Sequence, residues 1–129
     1  MMGNVMNKKK ILLIDDDREF AQELGEALAI NGYAVTITGD VNDVLNVAKK
    51  SGPDVILLDL KMPEKNGFQV ARELHEDAET KGIPVIAISA CYRNGEFFLM
   101  RIDGIKKYLG KPFSPEEVIA EIESVLAKR

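Results

Sequence analysis

Six polar residues follow closely on short apolar runs, and their types suit one kind of chemistry. Asp15, Asp16 and Asp17 come after Ile11-Leu12-Leu13-Ile14, and Asp59 after Val55-Ile56-Leu57-Leu58. Ser89 comes after Pro84-Val85-Ile86-Ala87-Ile88, and Lys111-Pro112 shortly after Lys107-Tyr108-Leu109. Carboxylates gathered within a few ångströms repel, so some must protonate or find a cation. Hard oxygen ligands suit Mg²⁺, which takes one or two carboxylates, keeps several waters and accepts a phosphate oxygen. A lysine adds compensating charge, and a hydroxyl donates one hydrogen bond. Together these are the parts needed to accept a phosphoryl group on an aspartate, with cation and lysine neutralising charge on the transferring oxygens.

The elements that must position these groups alternate along the chain. The apolar runs at 11–14, 55–58 and 84–88 are apolar on both sides of the pleat, as in strands covered on both faces. Tyr33-Ala34-Val35-Thr36-Ile37 is a further strand, and 107–109 a weaker fifth. Between them lie segments of helical period. Phe20, Leu24, Ala27 and Leu28 form one stripe, closed by Asn31-Gly32. Val41, Val44, Leu45 and Ala48 form the next, with Thr38-Gly39-Asp40 as its cap and Ser51-Gly52-Pro53 as its stop. Phe68, Val70, Ala71 and Leu74 form a third, and residues 93–103 a fourth. Val118, Ile119, Ile122 and Val125 form the last, opened by a capping box from Ser114 to Glu117 with Pro115 at the first helical position. The order predicts an α/β (βα)5 doubly wound fold, a five-stranded parallel sheet with helices on both faces. Ligands of such sheets bind beyond the carboxyl ends of the strands, which is where the six polar residues fall.

Composition removes several classes. The chain has 129 residues, enough to bury roughly two-thirds of its unfolded surface as one domain without disulfides or structural metal. Its 17 basic and 21 acidic residues give a net charge of −4, a poor basis for wrapping nucleic acid. Its apolar runs are far too short to span a membrane. Residues 1–10 lack the pattern of a secretory signal, so a cytoplasmic location is expected. The single cysteine, Cys91, cannot form an internal disulfide.

Ile14-Asp15-Asp16-Asp17, Leu57-Leu58-Asp59-Leu60-Lys61-Met62-Pro63, Asn66-Gly67, Ile88-Ser89-Ala90 and Tyr108-Leu109-Gly110-Lys111-Pro112-Phe113 occur in that order. Together they resemble the receiver domain of two-component response regulators, of the stand-alone chemotaxis or sporulation-relay type, with its flavodoxin-like fold. The resemblance covers about residues 9–128. It implies a flexible N-terminus over 1–8 and a single receiver domain over 9–129. It makes Asp59 the phosphoacceptor, and Asp15, Asp16, Asp59 and the backbone carbonyl of Lys61 the Mg²⁺ ligands. Ser89 would hydrogen-bond the phosphoryl oxygen. Lys111 would pair with the phosphoryl group or, before phosphorylation, with Asp59, ahead of a cis peptide to Pro112. Tyr108 would be the aromatic that changes exposure as Ser89 moves, unless it is only a packed strand aromatic. The implied protein is a phospho-accepting signalling domain, not an enzyme. Its phosphoryl donor would be a histidine kinase or histidine phosphotransferase acting in trans.

Other residues receive plainer readings. Asp17 is an N-cap for the first helix. Cys91 is a small loop residue, and His75, among Glu73, Glu76 and Asp77, lies on a solvated face. Two features depart from the family's habit. Ile105, then Lys106-Lys107, follow Gly104 where a small residue is usual, which bears on how the 93–103 helix packs and how freely Tyr108 moves. Phe97-Phe98-Leu99-Met100 cannot all face the sheet. Phe97 and Met100 are either an ordinary exposed pair or, with Tyr108, a surface for a downstream protein or a homodimer. The chain ends about one helix after Lys111, so protein binding or phosphoryl relay is the expected output, with a piece cut from a larger regulator as the alternative. Among rivals, a haloacid dehalogenase-like phosphatase wants a second acid two residues after its nucleophile, where Lys61 stands. A flavodoxin-like cofactor binder wants a phosphate-cradling loop where the acids are. A receiver scaffold that is never phosphorylated is the remaining reading.

Overall fold

The computed structural model describes residues 8–60, 67–90 and 104–128. Its strands are β1 (Lys10–Ile14), β2 (Ala34–Thr38), β3 (Val55–Asp59), β4 (Val85–Ser89) and β5 (Ile105–Gly110). The helices among the described residues are α1 (Arg18–Ile30), α2 (Val44–Ser51), α3 (Gly67–Glu76) and α4 (Pro115–Ala127). The helix expected over 93–103, including Phe97–Met100, and Cys91 lie outside the described residues.

The strands form one sheet in the order β2-β1-β3-β4-β5, and every adjacent pair is parallel. The alternation of strand side chains decides which helices cover which face. Ile11, Leu13, Val55, Leu57, Ile86 and Ile88 point to one face and pack with α1 and α4 through Leu24, Leu28, Val118 and Ile122. Leu12, Ile14, Ile56, Leu58 and Val85 point to the other and pack with α2 and α3 through Val44, Ala48, Val70 and Leu74. That two-sided burial is why β1, β3 and β4 read as unbroken apolar runs. The chain order reverses between β1 and β3, and in such sheets the crevice at that reversal, beyond the strand ends, takes the ligand.

Helix ends follow local chemistry, with one correction. The Asp17 carboxylate accepts from the Phe20 N–H at 3.1 Å and starts α1 as expected. The Ser114–Glu117 capping box starts α4, with Pro115 in its first turn. Asp40, in contrast, does not cap α2. Its carboxylate accepts from the Asn42 N–H at 3.0 Å, and its carbonyl from the Asp43 N–H. This local turn delays the helix until Val44, with Asp43 at the cap position. Val41 is still buried, from the turn and not from the helix. At the far edge, pairing steps from Val85–Ile105 to Ile86–Lys107, so Lys106 is the extra residue of a bulge and β5 starts earlier than 107. Among the described residues no helix is long and apolar enough to cross a membrane.

Candidate functional site

The carboxyl ends of β1, β3, β4 and β5 bring the predicted polar groups to one rim. Asp15 and Asp59 are buried and Asp16 is exposed, and a carboxylate oxygen from each lies within 4.8 Å of the others. Oxygens sharing one octahedral Mg²⁺ sit at most about 4.2 Å apart, given metal–oxygen distances near 2.1 Å. Three acids gathered this closely suit a small hard dication. Lys61, whose carbonyl was expected to join them, lies outside the described residues.

Asp15 is held on both sides. Its Oδ1 accepts from the Asp17 N–H at 2.9 Å, and its Oδ2 from the Lys111 ammonium at 2.9 Å. The Asp15 side chain is 0% exposed and that of Lys111 17%. Lys111 is thus ion-paired within the same acidic cluster that holds Asp59. The Lys111 backbone is fixed as well, because its N–H donates to the Ser89 carbonyl at 2.9 Å. A cis peptide joins Lys111 to Pro112. Ser89 itself is buried at the end of β4.

Tyr108 sits opposite Ala87 and packs, half-buried, on the small cluster of Leu60 and Ala87, against which Phe68 and Ile105 also pack. Burial pushes its phenol above the usual tyrosine range. Ile105, the bulky residue after Gly104, thus packs on the same small cluster as Tyr108.

Three contributions had not been read from the sequence. Phe20 was read only as part of the α1 stripe, yet its ring centroid lies 3.9 Å from the Lys111 Nζ. A phenylalanine in the first turn beyond an acidic rim was the available signal. His75, assigned to a solvated face, is partly buried instead: a Cβ on Gly104 would lie 3.3 Å from its Nδ1, a long-range approach that its acidic neighbours in sequence concealed. Gly67 opens α3 directly against the end of β3. A Cβ there would meet the Asp59 carbonyl oxygen at 2.5 Å and the Leu60 Cα at 2.6 Å. Those atoms are backbone and cannot swing aside. Gly67→Ala should therefore destabilise the fold by about 1–3 kcal/mol, measured by urea unfolding. A wild-type midpoint would mean that this backbone yields freely.

Beside the acids, a cleft of about 950 Å³ runs between α1 and the β2–α2 connection, lined by Asp15, Asp16, Arg18, Gln22 and Thr38 among others. It opens the Asp15–Asp16 side of the rim to solvent.

Residues 11–123 match the family model for the response regulator receiver domain. The chain is 31% identical over 121 residues to the DNA-binding response regulator MtrA of Mycobacterium tuberculosis, covering 94% of this chain and 52% of MtrA. It is 35% identical over 118 residues to the protein PilH of Pseudomonas aeruginosa, covering 92% of this chain and 98% of PilH. The chain thus spans about half the length of several curated relatives that it matches. Among solved structures, the chemotaxis protein CheY4 of Vibrio cholerae superposes with a TM-score of 0.82 at 27% identity, covering 93% of this chain and 100% of that one.

Proposed function

The chain belongs to the response regulator receiver domains, the phospho-accepting modules of two-component signalling, and on that premise we propose that Asp59 is its phosphoacceptor. The observation that carries this reading is the gathering of Asp15, Asp16 and Asp59 at one rim, with Lys111 bound to the same cluster.

The donor is a phosphohistidine of a histidine kinase or histidine phosphotransferase. An Asp59 oxygen attacks phosphorus, the phosphorus–nitrogen bond breaks, and the imidazole leaves with its electron pair. Asp15, Asp16 and Asp59, with the Lys61 carbonyl, are the residues that would hold Mg²⁺. When bound, the cation neutralises charge on the transferring oxygens. The Asp17 N–H keeps the Asp15 carboxylate oriented. Lys111 supplies a positive charge close to the incoming phosphoryl group, and the Ser89 hydroxyl donates to one of its oxygens.

The switch uses the same groups. A phosphorylated Asp59 adds charge and acceptor oxygens that draw in Ser89. Tyr108 follows, altering the half-buried patch with Leu60 and Phe68. The output is binding of a downstream protein at the face of Tyr108 and 97–100, or relay of the phosphoryl group, with a homodimer through the same face as a second use. Residues 9–129 act as one receiver domain, in the cytoplasm. Incubation with acetyl phosphate and Mg²⁺ should load one phosphoryl group per chain, read by intact mass, and shift the Tyr108 ring resonances. Chelation of the metal should prevent both. Absence of label with Mg²⁺ present would refute the reading.

A further inference from the structure

The Lys111 ammonium is in contact with groups of opposite character. One is Asp15 Oδ2 at 2.9 Å, and another is the Phe20 ring, with its centroid 3.9 Å away. A cation at this range from a ring is drawn by the negative face of its π system, most strongly where water is largely excluded. The ring is not free to swing. Phe113 meets it edge-on, with centroids 5.7 Å apart and planes at 81°, and both rings pack on the α1–α4 core. The Phe20 backbone is itself fixed by the Asp17 cap. Leucine or methionine would fill much of the same space but would offer the ammonium no π face.

We infer that Phe20 is a positioning residue that holds Lys111 on Asp15 in the unphosphorylated protein and thereby tunes how tightly the acidic site takes a divalent cation. The inference rests on the reading of Asp15, Asp16 and Asp59 as that cation's ligands. Both Asp15 oxygens already accept a hydrogen bond, Oδ1 from the Asp17 N–H and Oδ2 from Lys111. An arriving dication meets an acid already partly neutralised and an ammonium that repels it. Lys111 must be displaced or share Asp15. Whatever stabilises Lys111 in this place weakens cation binding, and by reciprocity the cation loosens Lys111 from the ring by the same coupling factor.

The test compares wild type with Phe20→Leu, Phe20→Met and Phe20→Tyr in Mg²⁺ titrations followed by amide NMR shifts. The Lys111 ε-methylene protons are observed in the same samples. In wild type and Phe20→Tyr these protons should be shifted upfield by the ring current, and they should move back as Mg²⁺ is added. In Phe20→Leu and Phe20→Met the upfield shift should be gone and Mg²⁺ should bind about threefold more tightly, the scale of one partly screened cation–π contact. Packing alone predicts no such split between the tyrosine variant and the aliphatic ones. Wild-type Mg²⁺ affinity in both aliphatic variants would overturn the inference and leave the metal site standing. Wild type that binds no Mg²⁺, or binds it equally well as Asp59→Asn, would overturn the site reading and this inference with it.

Discussion

Asp59→Asn should abolish labelling by acetyl phosphate, with incorporation falling at least about a hundredfold, because the amide cannot serve as the carboxylate nucleophile. The variant should nonetheless fold at least as stably as wild type in the absence of Mg²⁺. Asp59 is buried beside two other carboxylates. Replacing one of three mutually repelling charges by a neutral side chain of the same shape removes an unfavourable Coulomb contribution. Loss of label with retained or raised stability separates a chemical role from a structural one. Wild-type labelling of the variant would move the acceptor elsewhere, and a large loss of stability would show that the Asp59 charge is needed for folding.

Lys111→Met tests the other side of the electrostatic balance. Its removal leaves the fully enclosed Asp15 carboxylate with the Asp17 N–H but no ammonium. Breaking a buried pair by removing one partner leaves an uncompensated charge, so a loss of about 2–4 kcal/mol is expected in urea unfolding without Mg²⁺. Mg²⁺ should restore more stability to this variant than it adds to wild type, because it no longer competes with the lysine for Asp15, and a cation that binds only the folded state stabilises it more the more tightly it binds. Labelling should fall on the order of a hundredfold even in saturating Mg²⁺, since a charge aimed at the transferring oxygens is missing. Equal stability with and without the lysine would mean that Asp15 does not depend on it.

The elements most legible in the sequence were those whose burial is two-sided. Ile11–Ile14, Val55–Leu58 and Val85–Ile88 are enclosed on both faces, and their short length and β-branched content mark them as strands. The sheet edges were less legible, for the same reason reversed. β2 is half-exposed, with Ile37 at 44%, so its residues carry weaker instruction about where pairing begins, and Tyr33 falls just outside it. β5 carries two adjacent lysines, and its bulge at Lys106 breaks the alternation that a strand is read by. The start of α2 was misplaced because Asp40 could cap a helix or close a turn with equal chemistry, and the turn formed. In the site, the acids and Lys111 were legible because strand ends in a parallel sheet share one rim. The pairing of Lys111 with Asp15, the ring of Phe20 beneath it, and the pressure of Gly67 on the Asp59 backbone depend on contacts between distant segments. Local patterning carries no record of them.

The most direct test of the central claim is chemical location of the phosphoryl group. Wild-type protein would be incubated with acetyl phosphate, treated with borohydride to reduce the acyl phosphate to an alcohol, digested and sequenced by mass spectrometry. Conversion of Asp59 to homoserine in Mg²⁺, and none after chelation, is the predicted result. Homoserine at another aspartate, or conversion of Asp59 that ignores the metal, would contradict it.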